Sequence, residues 1–219
     1  MQPETYYHVY NHANGSENLF RSDENYRYFL RQWVKYIEPI AGTYSYCLMP
    51  NHFHALVRVY DENKVLQFIH TKQPTLQGFE TLEGFSNTIS RQFSHLFNSY
   101  TQAYNKMYNR RGSLFIPNFK RIEITSNDYL TKVIHYLSVR KAGIHHNPIH
   151  HRFGKQYDDW PHSSYNPLIS NQPTRLQRQE VIEWFGSTEA FKSFHQQNII
   201  YPDQIKLESS TKTPNPPRV

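Results

Sequence analysis

Apolar positions change their period several times along this chain, and each change marks an element. Residues 5–11 are aromatic and β-branched with period two and predict a first strand. Asn14-Gly15-Ser16 is a turn signal. Ser22 has the chemistry of an N-cap, with Asp23 and Glu24 in the following turn. Tyr26, Phe29, Leu30, Trp33, Val34 and Ile37 then recur at helical spacing until Pro39 and Gly42 stop the helix. Residues 43–49 and 52–59 predict two more strands. Pro50-Asn51 joins them, so they form an antiparallel hairpin. Residues 61–84 are polar, contain Pro74, Gly78 and Gly84, and predict a loop. A second helix is expected over residues 86–107, with the stripe Ile89, Phe93, Leu96, Phe97, Tyr100, Tyr104 and Met107. A fourth strand is expected within residues 113–124.

Ser126 or Asn127 caps an expected third helix with Leu130, Val133 and Leu137 as its core stripe. Tyr129, Lys132, Tyr136 and Arg140 share one side of it, because positions three and four apart are neighbours. The order β-α-β-β-α-β predicts an α+β fold: a ferredoxin-like antiparallel sheet with two helices on one face. The third, tyrosine-bearing helix is left for the other face. Residues 1–142 are expected to form the core and residues 143–200 a C-terminal helical extension packed on or beside it. Residues 143–165 are rich in His, Asn and Pro and read as irregular. Residues 173–196 predict a short helix or two, and residues 201–219 a flexible tail.

Composition narrows the partners. The 219-residue chain carries a net charge of +6, with 17 tyrosines and 14 phenylalanines, and its pI is about 9.3. Basic charge beside many aromatic rings suits nucleic acid, through phosphate attraction and base stacking. No apolar run approaches the length of a membrane span, and the first residues lack the basic and apolar segments of a secretory signal. A single cysteine, Cys47, excludes an internal disulfide and suits a reducing cytoplasm.

The chemistry concentrates at Met49-Pro50-Asn51-His52-Phe53-His54-Ala55-Leu56-Val57. Side chains alternate across a strand, so His52 and His54 project from one face while Phe53, Ala55 and Val57 project from the other. The apolar set can pack on a core, and the two imidazoles can hold one divalent metal ion. A metal on a phosphodiester oxygen neutralises its charge and positions the phosphorus. A tyrosine beside cations can then attack as phenolate.

Four segments occur in order: Tyr6-Tyr7-His8-Val9-Tyr10-Asn11; residues 49–57; Arg111-Gly112-Ser113-Leu114-Phe115 with Phe119-Lys120-Arg121; and Ile134-His135-Tyr136. Together with Asp159-Trp160, Ser163-Ser164-Tyr165 and Glu183-Trp184-Phe185-Gly186 they resemble the single-tyrosine HUH transposases, especially the REP-associated branch. The resemblance runs from about residue 5 to residue 195. It implies that His52 and His54 bind Mg²⁺ or Mn²⁺ and that Tyr136 is the nucleophile, with Lys132 and Arg140 favouring its phenolate. It also implies a single-stranded DNA substrate with hairpin or palindromic elements, in a bacterial, cytoplasmic, nucleoid-associated setting, acting as monomer or homodimer. Arg110, Arg111, Lys120, Arg121 and Lys141 are the candidate DNA contacts.

One departure from the family pattern matters. Relatives carry an amide four residues after the tyrosine as a third metal ligand. Here that position is Arg140, which has no lone pair to offer. The family-like Ile144-His145-His146-Asn147-Pro148 arrives seven residues late. Either Asn147 folds back as third ligand or the ligand is lost. The alternatives to a transposase or nickase are therefore a non-cutting DNA- or RNA-hairpin binder of the same fold, and a sheet-based RNA-binding module.

Overall fold

The computed structural model describes residues 1–72, 82–135 and 143–196. Its centre is a four-stranded sheet built from β1 (Tyr6–His12), β2 (Ala41–Met49), β3 (His52–Val59) and β4 (Lys120–Ile124). The strand order is β2-β3-β1-β4, and every neighbouring pair is antiparallel. The helices are α1 (Asp23–Tyr36), α2 (Glu62–Lys72), α3 (Leu82–Met107), α4 (Asn127–His135), α5 (Asn147–His150), α6 (Tyr165–Ile169), α7 (Arg178–Phe185) and α8 (Thr188–Gln196).

Period-two alternation gives the sheet two buried faces. On one, Tyr7, Val9, Phe53, Ala55, Val57 and Val59 pack against Phe29 and Trp33 of α1, Ile37 just after it, and Ile89, Phe93, Leu96 and Tyr100 of α3. Each such side chain contributes roughly 1.5–3 kcal/mol by leaving water. Polar tips within this core find partners: Trp33 Nε1 donates to Thr43 Oγ1 at 2.9 Å, and the Tyr100 hydroxyl donates to the Leu19 carbonyl. On the opposite face, Tyr44, Cys47, Met49 and Leu56 pack against Leu130, Val133 and Ile134 of α4. Ile144, Tyr165, Leu168, Val181 and Phe191 complete this second core. The C-terminal extension thus shares an apolar core with the sheet.

The extension also closes an edge. Strand β2 would otherwise present open backbone groups. Leu48 N donates to the His162 carbonyl and Ser164 N to the Tyr46 carbonyl, both at 2.9 Å; Gln177 N donates to the Thr43 carbonyl at 2.9 Å.

Of the segment expected as a loop over residues 61–84, residues 62–72 and 82–84 are helical, and residues 73–81 lie outside the described residues. Asp61 caps α2, its carboxylate accepting from Lys64 N at 3.0 Å. Val65 and Ile69, four apart, are both buried. The prolines and glycines of the segment obscured this capped, amphipathic stretch. Gly84 does not break α3, which starts at Leu82 rather than near residue 86. The fourth strand is short, and Phe115 reaches β1's end only through an isolated bridge to Ala13. Ser22 sits at the N-cap of α1 in extended conformation, without a side-chain hydrogen bond.

Candidate metal and nucleic-acid site

Strand β3 lies inside the sheet, and its pleat sets His52 and His54 side by side with ring centroids 5.2 Å apart. Strand β1 brings two more histidines to the same face through the pairs Tyr10↔His54 and His12↔His52. The rings of His12 and His52 stack at 4.8 Å. His8 Nε2 lies 2.9 Å from His54 Nδ1. His151, just beyond α5, places its ring 5.2 Å from that of His52.

His52 has a defined polarity. Its Nδ1 is 2.8 Å from Asn51 Oδ1. An amide oxygen only accepts, so Nδ1 carries the proton and Nε2 keeps the lone pair. That Nε2 faces Asn147 Oδ1 at 3.4 Å. The Asn147 amide cannot turn about cheaply, because its Nδ2 donates to the Gly143 carbonyl at 2.9 Å. In that tautomer two lone pairs stand 3.4 Å apart, a spacing that suits a cation between them, whereas a proton on Nε2 makes the same contact a hydrogen bond to Asn147. Two donors each about 2.1 Å from one cation stand roughly 3.0–3.4 Å apart. Among the described residues no group of three or more His, Cys, Asp or Glu side chains is placed to hold a metal. The donors that meet are the His52 imidazole and the Asn147 amide, with the His54 ring beside them.

The backbone explains how Asn147 arrives there. In a continuous helix, the carbonyls of Val133 and Ile134 accept from the amides four residues on. Here Ile144 N donates to the Val133 carbonyl at 3.0 Å and His145 N to the Ile134 carbonyl at 2.9 Å. Residues eleven on make the bonds expected four on, which offsets the register by seven. Asn147 thereby takes the place that numbering alone gives to Arg140. His145 pins this return. Its Nδ1 lies 3.1 Å from His195 Nε2, and its Nε2 lies 2.7 Å from Ser164 Oγ. His195 Nδ1 donates to the Phe191 carbonyl at 2.8 Å, and Ser164 Oγ accepts from Tyr46 N at 2.8 Å. One proton assignment with neutral imidazoles satisfies the whole buried chain.

Burial keeps the candidate ligands unprotonated. It pushes His52 down to about 4, helped by the neighbouring His12 and opposed by the Asn147 amide. Burial also holds His54 well below the ordinary histidine range, with His8, His52, His12 and His151 adding to the effect. The unfolded chain binds these protons near pH 6.5, whereas the folded one refuses them until about 4 at His52. More protons are bound unfolded in that window, so stability falls as pH drops through it. Urea denaturation of chelator-treated protein should show a loss on the order of 2 kcal/mol from His52 alone between pH 6.5 and 5. A flat profile over that range would contradict neutral, buried imidazoles.

The basic residues divide. Arg110 is committed to the fold: its Nε donates to Glu17 at 2.8 Å, and its terminal nitrogens donate to Asn105 Oδ1 and to the carbonyls of Gly112 and Ser113. A guanidinium used this way is a loop staple in the protein without DNA. Arg110→Ala should cost roughly 1–3 kcal/mol of stability, since it removes charge-assisted bonds to backbone carbonyls; thermal unfolding checks this. Arg111 is exposed. Lys120 pairs with Tyr10, and Arg121 with Val9. Lys120 therefore stands on the histidine face, while Arg121 stands on the opposite face. Their adjacency in sequence conceals this separation.

Lys132 is half-buried on α4. Tyr136, Arg140 and Lys141 lie outside the described residues. Tyr129 packs against the second core, and burial raises its phenol above the ordinary value. His8 and His12 had not stood out as site residues, nor His151 as part of a metal site. The signal for the first two was alternation along Tyr6-Tyr7-His8-Val9-Tyr10-Asn11-His12, once β1 is paired with β3. His151 is placed by the turn after α5, which no periodicity foretells.

No protein-family model matches the chain, and no curated protein is significantly similar to it. Among solved structures, the chain is similar to a REP-associated tyrosine transposase bound to a REP hairpin. The two are 17% identical, the match covers 79% of this chain and 84% of that one, and the TM-score is 0.47. The functional reading of this chain accordingly stands on its own residues.

Proposed function

We propose that this protein is a metal-dependent, single-tyrosine nickase and strand transferase of the HUH transposase kind, acting on single-stranded DNA next to a hairpin. The observation that carries the reading is the convergence of His52 Nε2 and Asn147 Oδ1 beside His54 on a buried central strand. It supports a ligand set of His52, His54 and Asn147 for Mg²⁺ or Mn²⁺. The strand order is read as the ferredoxin-like one of such enzymes.

The bound cation would supply charge neutralisation at a phosphodiester oxygen. Asn51 orients the His52 ring, and the Gly143 carbonyl orients the Asn147 amide. Tyr136 follows α4's last residue directly in sequence. Its phenolate oxygen attacks phosphorus, forming a tyrosine–phosphate bond as the bond to the 3′ oxygen breaks. That oxygen leaves as a free 3′-OH after taking a proton, and the 5′ phosphate stays on the protein. Lys132, four residues before Tyr136, favours the phenolate. A second 3′-OH can reverse the step and join strands without nucleotide hydrolysis.

The non-cutting hairpin binder is favoured by one observation, Arg140 at the position four after the tyrosine. The placement of Asn147 weighs against it. Incubating a labelled single-stranded hairpin substrate with and without Mn²⁺ decides. A metal-dependent covalent adduct with a free 3′-OH supports the proposal, and hairpin binding without any adduct supports the alternative.

DNA binding follows the sheet faces. Arg111→Ala and Lys120→Ala should each weaken hairpin binding and flatten its dependence on salt, by roughly 0.7–0.9 logarithmic unit for each phosphate that is no longer neutralised. Arg121→Ala should change the slope less. Affinities measured across a salt series check both, and equal slopes for Lys120→Ala and wild type would move the DNA to another surface.

A further inference from the structure

We propose that His8 is a positioning residue for the metal site, selecting the form of His54 in which Nε2 is free to bind the ion. The proposal rests on the metal reading above and deepens it.

His8 is buried on β1, diagonally across the pair Tyr10↔His54, and its Nε2 lies 2.9 Å from His54 Nδ1. Two ring nitrogens at that distance share one proton. If it sits on His54 Nδ1, His54 is the donor, His8 Nε2 accepts, and the lone pair of His54 lies on Nε2. If it sits on His8 Nε2, then neutral His54 carries its own proton on Nε2 and cannot ligate through that nitrogen. His8 in its acceptor form therefore fixes which nitrogen of His54 is available. A ligating histidine usually donates its other N–H to a carboxylate, a carbonyl or water. An imidazole in that place costs less at a buried position, because a carboxylate there would be a buried charge requiring a partner of its own. His52 receives the equivalent service from Asn51 at 2.8 Å. Each of the two ring ligands thus has its own orienting acceptor, one from the hairpin turn and one from the neighbouring strand.

The test uses the whole chain and Mn²⁺ as probe. Mn²⁺ titration followed by electron paramagnetic resonance should show His8→Phe binding about 10- to 100-fold more weakly than wild type. His8→Gln, which keeps an acceptor, should recover most of that loss. Long-range ¹H–¹⁵N spectra of the wild type with a diamagnetic divalent ion should show the His54 proton on Nδ1. Full Mn²⁺ affinity in a folded His8→Phe, or a proton on His54 Nε2 with the ion bound, overturns the proposal. If His8→Phe fails to fold, the His8→Gln titration and the wild-type spectra decide. A wild type that binds no divalent ion defeats the metal reading instead. The tautomer of His54 in the metal-free protein then judges His8 separately: a proton on Nδ1 upholds its role as acceptor, and a proton on Nε2 overturns it.

Discussion

Tyr136→Phe should abolish the covalent protein–DNA adduct while leaving hairpin affinity within about twofold of wild type. The substitution removes one hydroxyl. Binding depends on phosphate and base contacts, whereas attack needs the phenolate oxygen itself. Loss of a sole nucleophile should slow cleavage by at least about a thousandfold, or about 4 kcal/mol in the barrier. The competing residue is Tyr129, seven positions earlier. Its ring is partly buried against Leu130's core and its phenol is harder to ionise than a free one. In sequence, Lys132 stands four residues before Tyr136, and Tyr129 follows Asp128, whose charge opposes a phenolate. Peptide mapping of the adduct distinguishes the two. An adduct on Tyr129, or wild-type cleavage by Tyr136→Phe, would remove Tyr136 from its role.

Replacing His52 and His54 together by alanine should eliminate specific Mn²⁺ binding and lower adduct formation by a similar factor. Two of the three proposed donors disappear, and the remaining amide is a weak ligand alone. Hairpin affinity should change little, because Arg111 and Lys120 are untouched. The same variant carries a second signature. The imidazoles are held neutral by burial, so their removal should also diminish the loss of stability between pH 6.5 and 5 in metal-free protein. Calorimetric Mn²⁺ titration and urea denaturation at two pH values test both halves. A double variant that still binds Mn²⁺ like wild type would place the metal elsewhere.

The sheet and its two long helices were legible because their signals are local. Alternation in residues 5–11 and 52–59 and the 3.6-residue stripe on α1 and α3 each follow from burial of one face. The His52/His54 pair was legible for the same reason. Residues 61–84 misled because Pro74, Gly78 and Gly84 outweighed the Asp61 cap and the Val65/Ile69 pair, whose burial depends on tertiary packing. The basic cluster was legible only as a run of charge. Charge density along the sequence does not say which guanidinium is spent on Glu17 and on carbonyls, nor that Lys120 and Arg121 part to opposite faces. The partnership of His8 with His54 needed the strand register, which a single sequence supplies only weakly. The return of residues 144–147 onto α4 rests on two backbone hydrogen bonds that no residue preference encodes.

That return separates two properties that an unbroken helix would tie together. Where tyrosine and amide share one continuous helix, any insertion between them rotates the amide by about 100° per residue and displaces it by about 1.5 Å. In this protein the amide is positioned by its own anchors: the carbonyls of Val133 and Ile134, the Gly143 carbonyl and the His145 chain to Ser164 and His195. These anchors fix Asn147 through other residues, not through its sequence distance to position 136. The position of Asn147 is in this sense modular: it is held by α4's end and by the C-terminal extension, and not by the count of residues that precede it.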